Sequence, residues 1–185
     1  MMRTATPKRL RVQESVAVLL SLGYTWGYLQ GWTPWCFLPA GVGAMLFLDL
    51  CLRKGILAEA ALQAFYIGMA AYGAWASAQP QDWTPRQWPP ELHLISILSA
   101  ALVTYLVAQG LRRFTSSRLP YIDAFTSIFS LLATWLMVRN HHANWAYWIV
   151  IDAVAIFLYA KRGLPLGAAL YAIYLVMALM GWFGQ

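Results

Sequence analysis

One short stretch of this sequence has residue types and spacing suited to holding a ligand. Asn144-Trp145-Ala146-Tyr147-Trp148-Ile149-Val150-Ile151-Asp152 runs without a helix breaker. At helical periodicity Trp145, Trp148, Asp152 and Tyr159 share one face, and Asn144 stands at its end. Two indole rings one turn apart can clamp a flat ring by stacking, and a cationic ring by cation–π attraction as well. The Asn144 amide and the Asp152 carboxylate add hydrogen-bonding groups at either end. An aromatic belt at a membrane surface also favours Trp. A belt gives no reason for a carboxylate on the same stripe, and the residues alone support both readings.

Other polar groups recur on apolar segments. Glu59, Gln63 and Tyr66 are spaced by four and three, again one face. Gln63 offers a donor and an acceptor inside an apolar run. Asp123, Thr126, Ser127, Ser130 and Thr134 form a small polar stripe, and for Ser130 and Thr134 close helix packing is the better reading. Tyr171 and Tyr174 can line a cavity or pack between helices, with packing favoured for Tyr171. Asp49 precedes Arg53 by four residues, the spacing of a helical ion pair, and reads as structural. His93, His141 and His142 fall at segment ends and lack ligand spacing with Cys or carboxylates, so no metal site is proposed. Cys36 and Cys51 lie about 22 Å apart along one helix and cannot pair.

The elements that carry these residues follow from composition. Of 185 residues 61% are hydrophobic and only 11% charged, against roughly 25% charged in a soluble domain. The apolar residues come in blocks of about the ~20 that a membrane-spanning helix needs. The chain therefore reads as an all-α integral membrane protein with seven transmembrane helices, near 15–31, 34–52, 56–77, 93–111, 120–138, 143–160 and 165–183. The first is expected to remain as a span and not to be cleaved as a signal. So short a remainder leaves no room for a soluble catalytic or ATP-binding domain, and no G-x-x-x-x-G-K-[ST] loop occurs. Arg3, Lys8, Arg9, Arg11, Arg53, Lys54, Arg112, Arg113, Arg118, Lys161 and Arg162 fall on one side of the membrane, and Arg86 and Arg139 on the other. The positive-inside bias puts the N-terminus in the cytoplasm and the C-terminus outside. The net charge of +6 needs no nucleic-acid partner, because anionic lipid supplies the counter-charge.

The sequence also repeats. Lys54-Gly55-Ile56-Leu57-Ala58-Glu59-Ala60-Ala61-Leu62 resembles Arg162-Gly163-Leu164-Pro165-Leu166-Gly167-Ala168-Ala169-Leu170, 108 positions on. The same offset takes Tyr66 to Tyr174 and Gly73 to Gly181. Two three-helix repeats, 1–77 and 120–185, can run parallel only if one helix, 93–111, links them. This three-plus-one-plus-three plan places a substrate site between the repeats.

Asp123-Ala124-Phe125-Thr126-Ser127, Ala133-Thr134-Trp135, Asn144-Trp145-x-x-Trp148-Ile149-Val150-x-Asp152, Tyr159-x-Lys161-x-Gly163-Leu164 and Leu170-Tyr171 resemble the PnuC family, as do Lys54-Gly55 and Leu62-Gln63-x-x-Tyr66. That family comprises bacterial nicotinamide riboside transporters, with relatives for thiamine or riboflavin, and shares the architecture of the SWEET sugar transporters. The resemblance implies facilitated diffusion of a vitamin precursor, foremost nicotinamide riboside, across the inner membrane. Trapping would follow from phosphorylation by a cytoplasmic kinase. It further implies a homotrimer, no cofactor and no catalytic residue. The tryptophan pair would stack on the substrate ring, with Asn144 and Gln63 hydrogen-bonding it. Tyr66, Asp152, Thr126 and Tyr174 complete the expected binding set. A thiamine or riboflavin carrier, or the substrate-binding subunit of an ATP-driven vitamin importer, is the alternative.

Overall fold

The computed structural model describes residues 7–54, 57–79, 86–115, 119–161 and 165–184. Expectations for Arg3, Gly55, Ile56, Arg118 and Arg162-Gly163-Leu164 lie outside the described residues, as do those for the side chains of Lys8, Arg9, Lys54, Leu57, Ala58, Glu59, Pro165 and Leu166.

Seven helices are described: α1 Pro7–Leu29, α2 Phe37–Lys54, α3 Leu57–Ser77, α4 Pro90–Phe114, α5 Pro120–Val138, α6 Asn144–Lys161 and α7 Pro165–Phe183. Four of them, α1, α4, α5 and α7, open on proline. The first helical residue has no intrahelical use for its N–H, and the fixed proline φ already suits a helix. α1 begins eight residues before the expected 15, and α4 extends past 93–111 at both ends. An apolar span stops at the first charges, whereas a helix continues through Arg and Lys, which are good helix formers. Among the described residues extended pairing is confined to one isolated bridge between Arg86 and His141.

The chain forms two compact units, residues 1–82 and 83–185. In the first, α2 packs against both α1 and α3. In the second, α4 packs on α5, α5 on α6, and α6 on α7. The surface is apolar and part of the interior is polar. Leu19, Leu98 and Leu102 are each more than 60% exposed, while Gln63, Ser130, Thr134, Asn144 and Asp152 are buried. Water would penalise that arrangement, and lipid favours it. α4 and α5 are long and apolar enough to cross a bilayer by length and composition alone.

α1 and α5 end in the same way. At α1, Gly31 takes φ 68°, its N–H donates to the Tyr28 carbonyl, and the Trp32 N–H donates to the Gly27 carbonyl. At α5, Asn140 takes φ 55°, its N–H donates to the Met137 carbonyl, and the His141 N–H donates to the Leu136 carbonyl. Both are left-handed caps that pair the last carbonyls, and only Gly or a residue such as Asn enters that conformation readily. The 108-residue offset also recurs in packing. Met69, Ala70 and Gly73 are buried on α3, and Met177, Ala178 and Gly181 are buried on α7. The Phe37 ring lies directly on Gly73, and the Trp145 ring lies directly on Gly181. Near the end of α2, Asp49 and Arg53 make the expected ion pair at 2.7 Å. Gln13 on α1 donates to the same carboxylate at 2.9 Å.

Candidate functional site

The second unit gathers six of the eight expected binding residues on three consecutive helices: Thr126 on α5, Asn144, Trp145, Trp148 and Asp152 on α6, and Tyr174 on α7. Gln63 and Tyr66 are on α3 of the first unit. α6 packs against both α5 and α7. Its inward residues are therefore enclosed: Asn144 is 1% exposed, and Trp145 and Asp152 are 2%.

The structure gives the four α6 residues distinct surroundings. Trp145 is fixed. Its indole lies so close to Gly181 that a Cβ there would overlap the ring, so a glycine on α7 is what admits the indole. Trp148 stands one turn on, half-buried, and its Nε1 is enclosed without a hydrogen-bond partner. Asn144 begins the helix. Its Nδ2 donates to the His141 carbonyl at 2.7 Å, while its Oδ1 is buried without a partner. Asn144, Trp148 and Asp152 are spaced four and four, one row on the helix. That row presents an unused acceptor, an unused donor and a buried carboxylate in succession. Buried polar atoms are nearly always paired, and each such orphan costs about 1–3 kcal/mol. A polar ligand that donates to Asn144 and accepts from Trp148 recovers that cost.

The remaining expected residues are placed as follows. The Thr126 hydroxyl bonds back to the carbonyls of Ile122 and Asp123, each at 3.1 Å, which commits its proton and leaves its oxygen as an acceptor. Tyr174 meets Tyr171 edge-on at 6.1 Å, Tyr171 lies 5.0 Å from Tyr159, and the Tyr159 ring sits on Gly167. This ladder of rings ties α6 to α7, and Tyr171 packs within it. In the first unit Gln63 is buried and Tyr66 half-buried beside Phe65, with ring centroids 6.0 Å apart.

His141 was not singled out from sequence as a binding residue. It is buried, and its Nδ1 is a further orphan. Burial foremost, then the cations of Arg86 and Arg139, hold its pKa below the ordinary imidazole range. A His three residues ahead of a helix-opening Asn is the available signal in the sequence, and metal-ligand spacing does not address it. Among the described residues no three His, Cys, Asp or Glu side chains gather as a metal site.

Comparison with known proteins bears on what such a row would hold. A family model described as nicotinamide mononucleotide transporter matches residues 11–184. The chain is similar to the nicotinamide riboside transporter PnuC of Neisseria mucosa, 31% identical over 106 residues, covering 54% of this chain and 38% of that protein. It is also similar to the nicotinamide riboside transporter PnuC of Escherichia coli K12, 22% identical over 169 residues, covering 76% of this chain and 71% of that protein. Among solved structures it resembles the crystal structure of the vitamin B3 transporter PnuC, with a TM-score of 0.71 at 21% identity, over 92% of this chain and 78% of that one. At that identity the structural likeness speaks for the fold.

Proposed function

Since the chain belongs to the nicotinamide mononucleotide transporter family, we propose that it carries nicotinamide riboside across the bacterial inner membrane by facilitated diffusion. The observation that carries this reading is the α6 row, in which the Asn144 Oδ1 and Trp148 Nε1 lack partners and Asp152 is buried below them. A primary carboxamide has both a donor and an acceptor for that pair. A pyridinium ring suits an indole face and a nearby carboxylate. The same row argues for the riboside over the mononucleotide. A phosphate brings a charge of about −1.5 to −2 and calls for Arg or Lys. Among the described residues the buried polar groups include no Arg or Lys, and the one buried acidic side chain is Asp152.

In this reading Trp148 stacks on the substrate ring beside the fixed Trp145. Asn144, Asp152, Thr126 and Tyr174 satisfy polar groups from the second unit, and Gln63 and Tyr66 are the candidate polar residues of the first. The chain works as two parallel three-helix repeats joined by α4, and the shared offset of the Phe37–Gly73 and Trp145–Gly181 contacts supports that plan. The basic residues near the ends of α2, α4 and α6 support a cytoplasmic N-terminus and a periplasmic C-terminus. The working unit is a homotrimer, and a cytoplasmic kinase traps the product by phosphorylation. Purified chain in proteoliposomes, with no nucleotide and no other protein, tests the reading. Nicotinamide riboside should equilibrate down its gradient. Binding without flux would identify the subunit of an ATP-driven importer instead.

A further inference from the structure

The end of the second unit where α6 begins carries a strap that the transport reading leaves unused. The Arg86 N–H donates to the Asn140 carbonyl at 2.8 Å, and the Arg86 carbonyl accepts from the His142 N–H at 3.1 Å. Two residues on, the Trp88 ring meets His141 edge-on at 5.2 Å and lies 5.5 Å from His93. His93, in the first turn of α4, shares a 3.0 Å hydrogen bond with the Tyr147 hydroxyl of α6. The segment from Arg86 to His93 thus grips both the turn before α6 and the first turn of α6.

His141 sits under this strap and touches the binding row through its backbone. Its carbonyl accepts from the Asn144 Nδ2 at 2.7 Å and from the Asn144 N–H at 3.0 Å. A carbonyl can only accept, so the Asn144 amide must turn its NH₂ toward His141 and keep Oδ1 for another partner. The orientation that makes Asn144 an acceptor is therefore set by the position of His141. The groups around the His141 ring are Arg86 from the strap, Arg139 from its own turn and His93 from α4, with Tyr147 of α6 reached through His93. Two cations and a buried site both disfavour an imidazolium there.

We propose that His141 is a positioning residue for the substrate: strapped in place by Arg86–His93, its carbonyl aims the Asn144 amide, and protonation of its ring releases that aim and weakens binding. The proposal rests on the nicotinamide riboside reading. A proton on the ring adds a third cation to those of Arg86 and Arg139, and repulsion then moves the turn that carries the His141 carbonyl. The loop thereby acts on the binding row without touching substrate.

The test is calorimetric titration of the purified full chain with nicotinamide riboside from about pH 7.5 to about pH 4.5, through the range in which an ordinary His changes charge and below it, where the lowered pKa of His141 falls. The ligand's pyridinium charge is fixed, so the protein supplies any pH dependence. Affinity should fall with pH, by at most about tenfold per unit, the limit for one proton. His141→Gln should flatten the profile, and His142→Gln should leave it intact. Trp88→Ala should weaken binding several-fold at neutral pH, and Trp88→Phe, which keeps a ring on His141, should restore most of it. A flat wild-type profile, or a slope that persists in His141→Gln, overturns the proposal while leaving the transport reading standing. If nicotinamide riboside binds at no pH, both fail together.

Discussion

Replacing Gly181 by alanine should weaken substrate binding and the fold together, and the size of the effect can be worked from one contact. The added Cβ falls inside the Trp145 indole, overlapping Cε2 and Cδ2. Trp145 is 2% exposed, so the ring cannot swing into open space, and α7 or the ring must shift. Overpacking of this kind costs about 1–3 kcal/mol. Any part of it that displaces Trp145 and its neighbour Trp148 appears as lost affinity, at about tenfold per 1.4 kcal/mol. The control is Gly68→Ala on α3, where the new Cβ meets nothing within 4 Å and a helical Gly→Ala change should be neutral or mildly stabilising. Thermal unfolding in detergent and calorimetric titration with nicotinamide riboside measure the two effects. A Gly181→Ala protein as stable and as tightly binding as wild type would refute the reasoning, because it would mean that Trp145 is free to move.

Trp148→Ala should weaken nicotinamide riboside binding by about 1–3 kcal/mol, the range for losing a stacked ring. Trp148→Phe should lose less, about 1 kcal/mol for the Nε1 hydrogen bond, and equal affinity in all three proteins would assign this ring to a membrane belt. Asp49→Asn breaks an exposed pair with Arg53, so proteoliposome flux should not change, whereas a loss of flux would put Asp49 in the transport path. Stability should depend on pH through His141. Its folded pKa is lowered, so its contribution is complete above the unfolded value near 6.5. As pH falls below that value the unfolded chain takes the proton first, and stability is lost down through the folded pKa. His141→Gln should flatten that decline in a melting-temperature series, and an unchanged decline would contradict the assignment.

The helices were legible because apolar length and charged punctuation define spans, and the prolines at positions 120 and 165 mark starts. Their ends were less so. α1 continues into its basic N-terminal residues, since backbone hydrogen bonding does not stop where apolarity does. The Asp49–Arg53 pair was readable because both partners are local, four residues apart on one helix. The aromatic stripe of α6 was readable as a face, but its division of labour was not. The Gly181 contact that fixes Trp145 comes from another helix, and Gly181 by itself looks like any glycine in an apolar segment. The orphan atoms of Asn144 and Trp148 depend on what their surroundings fail to supply, which no residue pattern states. His141 is not legible as a binding residue because its importance lies in its backbone carbonyl and in a strap, Arg86–His93, that is distant in the chain. Spacing rules for side-chain ligands do not address either.

The central claim is that the Asn144–Trp148–Asp152 row binds nicotinamide riboside, and side-by-side calorimetry tests it most directly. Purified chain is titrated with nicotinamide riboside, thiamine and riboflavin, and Asn144→Leu is titrated in parallel. The account predicts that nicotinamide riboside binds tightest and that Asn144→Leu, which removes the acceptor from a buried site, loses about 1–3 kcal/mol or more. Preferential binding of thiamine or riboflavin would contradict the substrate, and undiminished affinity in Asn144→Leu would contradict the site.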